Sequence, residues 1–177
     1  MIIEDGTGSG NKAKVTDENQ IVVAAVVQGE LEHESEENGA GYNWCSDTVN
    51  IDANDTVLLV KNDSSTTLHI EYVDIDNGSL ASEYTLHLPT TEVTVTGTIV
   101  TGSNINTGIP NVAEATAASD ETNNTQGNVH RTVFLEADDG IRIMTPGVIL
   151  GKNKSIAVDV VENTTESSVS IVAHYSD

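Results

Sequence analysis

The stretch SIAVDVVENTTESSVSIVAHYS, residues 155–176, decides how this chain is read. Ile156, Val158 and Val160 fall on one side of an extended backbone, and beyond the polar connection VENTTESS so do Val169, Ile171, Ala173 and Tyr175. Successive strand side chains point to opposite faces, so both runs predict strands with one face in a core. Asn and Ser in the connection suit a turn, because their short side chains bond nearby backbone. The same grammar recurs upstream in TVLLV 56–60, TLHIEYVDI 67–75, EYTLHLP 83–89, VTVTGTIV 93–100, RTVFLEA 131–137 and IRIM 141–144. In EYTLHLP, Tyr84, Leu86 and Leu88 share a face. Counting 155–161 and 168–176, the prediction is an all-β, eight-stranded antiparallel β-sandwich. A jelly roll fits the count best, an immunoglobulin-like sandwich second, and Asp138-Asp139-Gly140 is the best hairpin turn.

Two segments stand outside this pattern. Residues 1–27 read as an N-terminal β-hairpin arm ending in the apolar run IVVAAVV, 21–27, which must pack on something because an isolated hairpin is marginal in water. QGELEHESEENGAG, 28–41, reads as an acidic linker to a sandwich over 42–177. The sandwich carries a long insertion at 102–130, where NVAEATAASDE predicts a short helix capped by Asn111.

Charge narrows the partners. Twenty-eight acidic against seven basic residues give a net charge of −21. Self-repulsion at that charge opposes folding, and molar salt, with a Debye length of about 3 Å, relieves it; the composition points to a saline setting. No nucleic-acid partner is expected, since phosphate binding rests on Lys and Arg. No run is long enough to span a bilayer as a helix, and the first residues lack a signal-peptide pattern, so no membrane partner is expected. Cys45 is the single cysteine, predicted to be a small buried residue.

Catalytic motifs are weak. GTGSGNK, from Gly6 to Lys12, puts Asn11 where a phosphate loop needs its second glycine and Ala13 where it needs a hydroxyl, and a strand rather than a helix follows. His33, His69, His87, His130 and His174 lack metal spacing and are expected to face outward, although His69 and His87, on different predicted strands, could share one side of a sheet. DIDNGS, 74–79, opens like a calcium loop but has Gly78 at the fifth position and no glutamate at the twelfth, leaving Asp74 and Asp76 as weak metal candidates. No nucleophile signature occurs, so the expectation is a non-enzyme without cofactors. Asn-x-Ser/Thr acceptors fall at Asn54, Asn62, Asn77, Asn123, Asn153 and Asn163, in predicted turns.

IEDGTGSGNKAKV, followed by GAGYNW and VLLVKNDSSTTLHI, resembles virion structural proteins of tailed viruses, in which a DGTGxGxKAKV start precedes an NGxxYN element and an LxVKN strand. EATAASDETNNTQGN, 114–128, is similar to a recurring segment of the same group, and the likeness runs to about residue 130. The resemblance implies a capsid-surface decoration, turret or head-fibre subunit, a homo-oligomer (trimer, pentamer or hexamer) on a virus of a halophilic archaeon, assembled in the host cytoplasm. Its partners would be the major capsid protein and copies of itself. The expected contact residues are Ile3, Lys12, Lys14, Val15, Ile21 and Val23 of the arm with Asn111 and Asn123 of the insertion. The competing readings are a module attaching the virion to a receptor or glycan of the host cell surface, and a secreted carbohydrate-active sandwich.

Overall fold

The computed structural model describes residues 3–4, 12–15, 21–22, 29–47, 49–53, 55–121, 127–162 and 164–176. Val23, Asn123 and the glycines of the 6–10 loop lie outside them. In the arm, β1 (Ile3–Glu4), β2 (Lys12–Val15) and β3 (Ile21–Val22) pair antiparallel, with Ile3 opposite Ala13 and Val15 opposite Ile21. The expected hairpin is a three-stranded sheet.

The stretch expected as a linker is helical: α1 (Glu30–His33) runs into a π-type turn, Glu34–Asn38, ended by Gly39 at a left-handed φ of 61°. Ser35 is buried there and donates to Leu31 O at 2.6 Å. The first sandwich strand is β4 (Gly41–Cys45), followed by β5 (Val49–Ile51), β6 (Thr56–Asn62), β7 (Thr67–Asp76) and β8 (Ser82–Leu88). The insertion supplies β9 (Thr98–Val100), β10 (Ser103–Asn104) and β11 (Ala115–Glu121). β12 (Asn128–Leu135), β13 (Gly140–Leu150), β14 (Ser155–Val160) and β15 (Thr164–Ser176) complete it.

These strands form two antiparallel sheets, β10-β4-β15-β7-β13 and β12-β8-β14-β6-β11-β9, with β5 paired to β15. The core lies between them: Trp44, Val73 and Ile171 from the first sheet meet Tyr84, Leu86, Ile156 and Val158 from the second, all buried. Each fully buried aliphatic side chain contributes about 1.5–3 kcal/mol of apolar burial, which is what fixes strand register here.

Four expectations give way. First, VTVTGTIV is not one strand. Only β9 pairs, while Val93 and Val95 pack on Leu59 and Ala157, covering a second face of the β6/β14 sheet. The wholly buried carboxylate of Glu121 replaces a ladder there, accepting the backbone N–H groups of Thr96 at 2.5 Å and Gly97 at 2.6 Å and the Thr96 hydroxyl at 2.8 Å. A Cβ on Gly97 would collide with Ser119 O, so only glycine permits the approach.

Second, the helix predicted after Asn111 is strand β11, paired with β6 from Ala115 opposite Asn62 to Glu121 opposite Thr56. Burying Ala117 and Ala118 against a sheet edge outweighs the helical propensity of a four-alanine segment. Third, β12 and β13, which flank Asp138-Asp139-Gly140, enter different sheets, so that turn is a corner and not a hairpin. Fourth, β13 does not stop at Met144. It continues through a bulge at 145–147, with Gly147 at φ 85° and the Thr145 hydroxyl donating to Ile70 O at 3.0 Å.

Candidate functional site

Acidic residues are scarce in one part of the chain. Residues 122–158 hold three carboxylates, Glu136, Asp138 and Asp139, against four cations, Arg131, Arg142, Lys152 and Lys154. The remaining residues carry twenty-five against three, so a net +1 segment sits in a −22 background. That segment contains β12 and β13, each at one end of its sheet among the described residues and joined by the 136–139 corner.

Among the described residues each of these strands is paired on one side, β12 with β8 and β13 with β7. On β12 the residues from Asn128 to Thr132 are exposed in succession, so both faces of that length meet solvent, and Phe134 is 61% exposed. Val129 on β12, and Met144 and Ile149 on β13, are likewise exposed. An edge strand bare on two faces and carrying aliphatic and aromatic side chains is a template for association. Strand period alone did not reveal it; the acid-free runs 122–135 and 140–158 are the signal in the sequence.

Nearby, Arg142 donates to both oxygens of Asp74, Nε to Oδ1 and Nη2 to Oδ2, each at 2.7 Å, and its guanidinium lies 4.1 Å above the Tyr72 ring. That fork keeps the Arg142 cation firmly protonated. Asp74 is thereby committed to an arginine, and Asp76 lies at the end of β7 opposite Gly140. The DIDNGS stretch is thus a strand end followed by a turn. Its Asn77 side chain is buried, donating to Leu80 O at 2.7 Å and Glu136 O at 2.8 Å.

The insertion is stitched to the helical turn by asparagines. Asn104 Nδ2 donates to Gly39 O at 2.8 Å, Asn106 Nδ2 to Ser35 O at 3.0 Å and Asn111 Nδ2 to Asn38 O at 3.1 Å. Asn111 therefore holds two segments of its own chain together and caps no helix. Beside it, Val112 and Glu114 face Tyr42 and Tyr175 across a groove of about 330 Å³. Burial pushes the pKa of the Tyr42 and Tyr175 phenols up, and the Tyr175 hydroxyl is buried without a hydrogen-bond partner among the described residues.

Two of the five histidines depart from expectation: His87 and His174 are buried, whereas His33 and His130 are exposed. His69 and His87 lie on different sheets, on β7 and β8. His87 Nε2 stands 3.0 Å from Asp159 Oδ2, and Asp159 Oδ1 accepts the Thr56 hydroxyl at 2.5 Å. Burial pushes the Asp159 carboxyl above the ordinary range, with Thr56 and His87 opposing and Asp55 adding to the shift. The hydroxyl here donates to the carboxylate and not to the imidazole, the reverse of what nucleophile activation requires. Cys45 is half-buried, its Sγ 3.7 Å from Ser168 Oγ, rather than a core residue. Of the glycosylation acceptors, Asn62 and Asn77 are buried and hydrogen-bonded, hence closed to modification in the folded chain.

The arm residues Ile3, Lys12, Lys14, Val15 and Ile21 lie in the small three-stranded sheet, whose backbone pairing is all that is described of them. Among the described residues no helix is long and apolar enough to cross a membrane. Comparison with protein-family models, curated proteins and solved structures finds no match to this chain.

Proposed function

We propose that the protein is a non-catalytic structural subunit of a virion, a capsid-surface decoration or turret protein that self-associates through the β12/β13 edge and docks on the major capsid protein through its N-terminal arm. The observation that carries this reading is the edge itself: β12 and β13 hold no carboxylate and expose Val129, Phe134, Met144 and Ile149, on a chain of net charge −21. Its occupant is a second copy, because acid-free strands with exposed apolar side chains let two such acidic chains meet without opposing carboxylates. The strand pairing supports a jelly roll, an architecture shared by many capsid and lectin domains. Taking β4, β6, β7, β8, β12, β13, β14 and β15 as a series, first pairs with last (β4–β15), second with seventh (β6–β14), third with sixth (β7–β13) and fourth with fifth (β8–β12). One long antiparallel ribbon, rolled up, gives this order.

The test is native mass measurement in molar salt on the wild type, on Phe134→Glu/Met144→Glu and on a chain lacking residues 1–27. The edge variant should fall to monomer, and the truncated chain should keep its oligomer yet lose binding to purified undecorated capsids. A wild-type monomer at every salt and concentration, or a truncated chain that still decorates capsids, overturns the proposal.

A second reading, attachment to a host-surface glycan, rests on the groove beside Tyr42 and Tyr175, because its polar lining from Ser64, Thr66, Asn111 and Glu114 suits the hydroxyls of a sugar. Binding of the wild type, but not of Glu114→Ala, to purified host envelope favours it.

A further inference from the structure

His69 on β7 and His174 on β15 are direct cross-strand partners whose rings stack with centroids 5.1 Å apart. His174 is wholly buried, and among the described residues neither of its ring nitrogens completes a hydrogen bond. Glu71 Oε1 lies 3.1 Å from Nδ1, and Glu30 Oε1, reaching over from α1, lies 3.6 Å from Nε2. A buried imidazole between two carboxylates, bonded well to neither, is an unfinished site.

The placement of protons explains what is missing. Thr67 Oγ1 donates its hydrogen to Ser176 O at 2.8 Å, so towards His69 Nε2, 3.1 Å away, it can only accept. That puts the His69 proton on Nε2 and leaves the Nδ1 lone pair. At His174, the nearer carboxylate of Glu71 draws the proton to Nδ1, leaving the Nε2 lone pair facing the Glu30 carboxylate. Two lone pairs and a carboxylate then converge with no hydrogen between them.

We propose that Glu30, His69 and His174 bind a divalent transition-metal ion of the zinc type, with Glu71 orienting His174 from behind. The candidate ligand atoms of the three residues all lie within 4.8 Å of one another. Tetrahedral zinc ligands, at about 2.0–2.2 Å from the ion, stand about 3.4 Å apart, so the site closes by an inward shift of about an ångström. Glu30, whose side chain is 59% exposed, can supply that shift. Two imidazoles select zinc or its neighbours over calcium and magnesium, which prefer all-oxygen shells. A carboxylate on the far nitrogen of a ligating histidine is the usual outer partner that fixes its tautomer. The bound ion would tie α1 to the β7/β15 pair.

The experiment titrates the full-length protein with zinc chloride by calorimetry, in molar potassium chloride with excess magnesium to occupy surface carboxylates, and follows cobalt(II) by its visible spectrum. The expected result is one zinc per chain and a cobalt spectrum typical of nitrogen ligation. His69→Gln and Glu30→Gln should each weaken zinc by more than tenfold, and Glu71→Gln by about tenfold. The metal-free denaturation midpoints of Glu30→Gln and Glu71→Gln, at partly exposed positions, should stay near that of the wild type. Replacing buried His174 risks unfolding the chain, so the substitutions are made at the other three positions. Zinc uptake that magnesium abolishes, or that His69→Gln and Glu30→Gln leave unchanged, overturns the site.

Discussion

The Tyr84 hydroxyl donates to Asn77 Oδ1 at 2.7 Å and, with its proton committed there, accepts from Ser167 Oγ at 2.7 Å. This one contact joins β8, the end of β7 and the start of β15 inside the core, and Asn77 passes it on to the 136–139 corner through Glu136 O. Tyr84→Phe keeps the ring and strands both partners. The expected loss is about 1–3 kcal/mol, read as a lower denaturant midpoint at unchanged slope.

Glu121 predicts a local effect. Glu121→Ala removes the acceptor for the Thr96 and Gly97 amides, and those amides should exchange with deuterium far faster than their counterparts in β6. If Thr96 and Gly97 exchange at the wild-type rate, the carboxylate does not hold the 93–97 segment.

Asp159 predicts a pH slope. Its folded-state pKa is raised, chiefly by burial, so its favourable contribution is complete below the unfolded carboxylate value of about 4. That contribution is lost as pH rises through the elevated folded value. Asp159→Asn keeps an acceptor for Thr56 and a donor for the other His87 tautomer, and abolishes the titration. The difference in stability between wild type and Asp159→Asn should therefore shift in favour of the variant as pH rises above about 4. A difference independent of pH would show that Asp159 titrates as it does in the unfolded chain.

Salt predicts a global effect. With −21 charges to screen, the thermal midpoint should rise as potassium chloride is raised from about 0.1 M to about 3 M. A flat or falling midpoint would show that self-repulsion does not limit this fold.

Much of the sandwich was legible because strand period reports burial on one face. Ile156, Val158 and Val160, with Val169, Ile171 and Ala173, are all buried as their alternation requires, and Leu88 and Tyr175 pack at the margin. β4 was missed because GYNWC is short and bounded by glycine and polar residues, and its burial comes from β15, far away in sequence. Gly102 shows the same limit: it lets the chain pass over Trp44, where a Cβ would stand 2.5 Å from Nε1, and no local signal marks it. The apolar edge was legible only through charge, by asking where acids are absent. The His69/His174 pair depends on the register of β7 with β15, which brings together residues more than a hundred positions apart, and could not be read locally.

The pairing of β4 with β15 also sets an order on folding. Ser46 Oγ accepts from Val169 N at 3.0 Å across 123 residues of chain, and Trp44 sits opposite Ile171. Closing a loop of that length precedes any gain from the contacts it makes, so this fold should form slowly. While β15 is still emerging from the ribosome, the β12/β13 edge is already synthesised and β7 lacks its second neighbour. A chain stalled there would expose its stickiest surface before its core had closed, and the acidity of the rest of the molecule is then what keeps nascent copies apart.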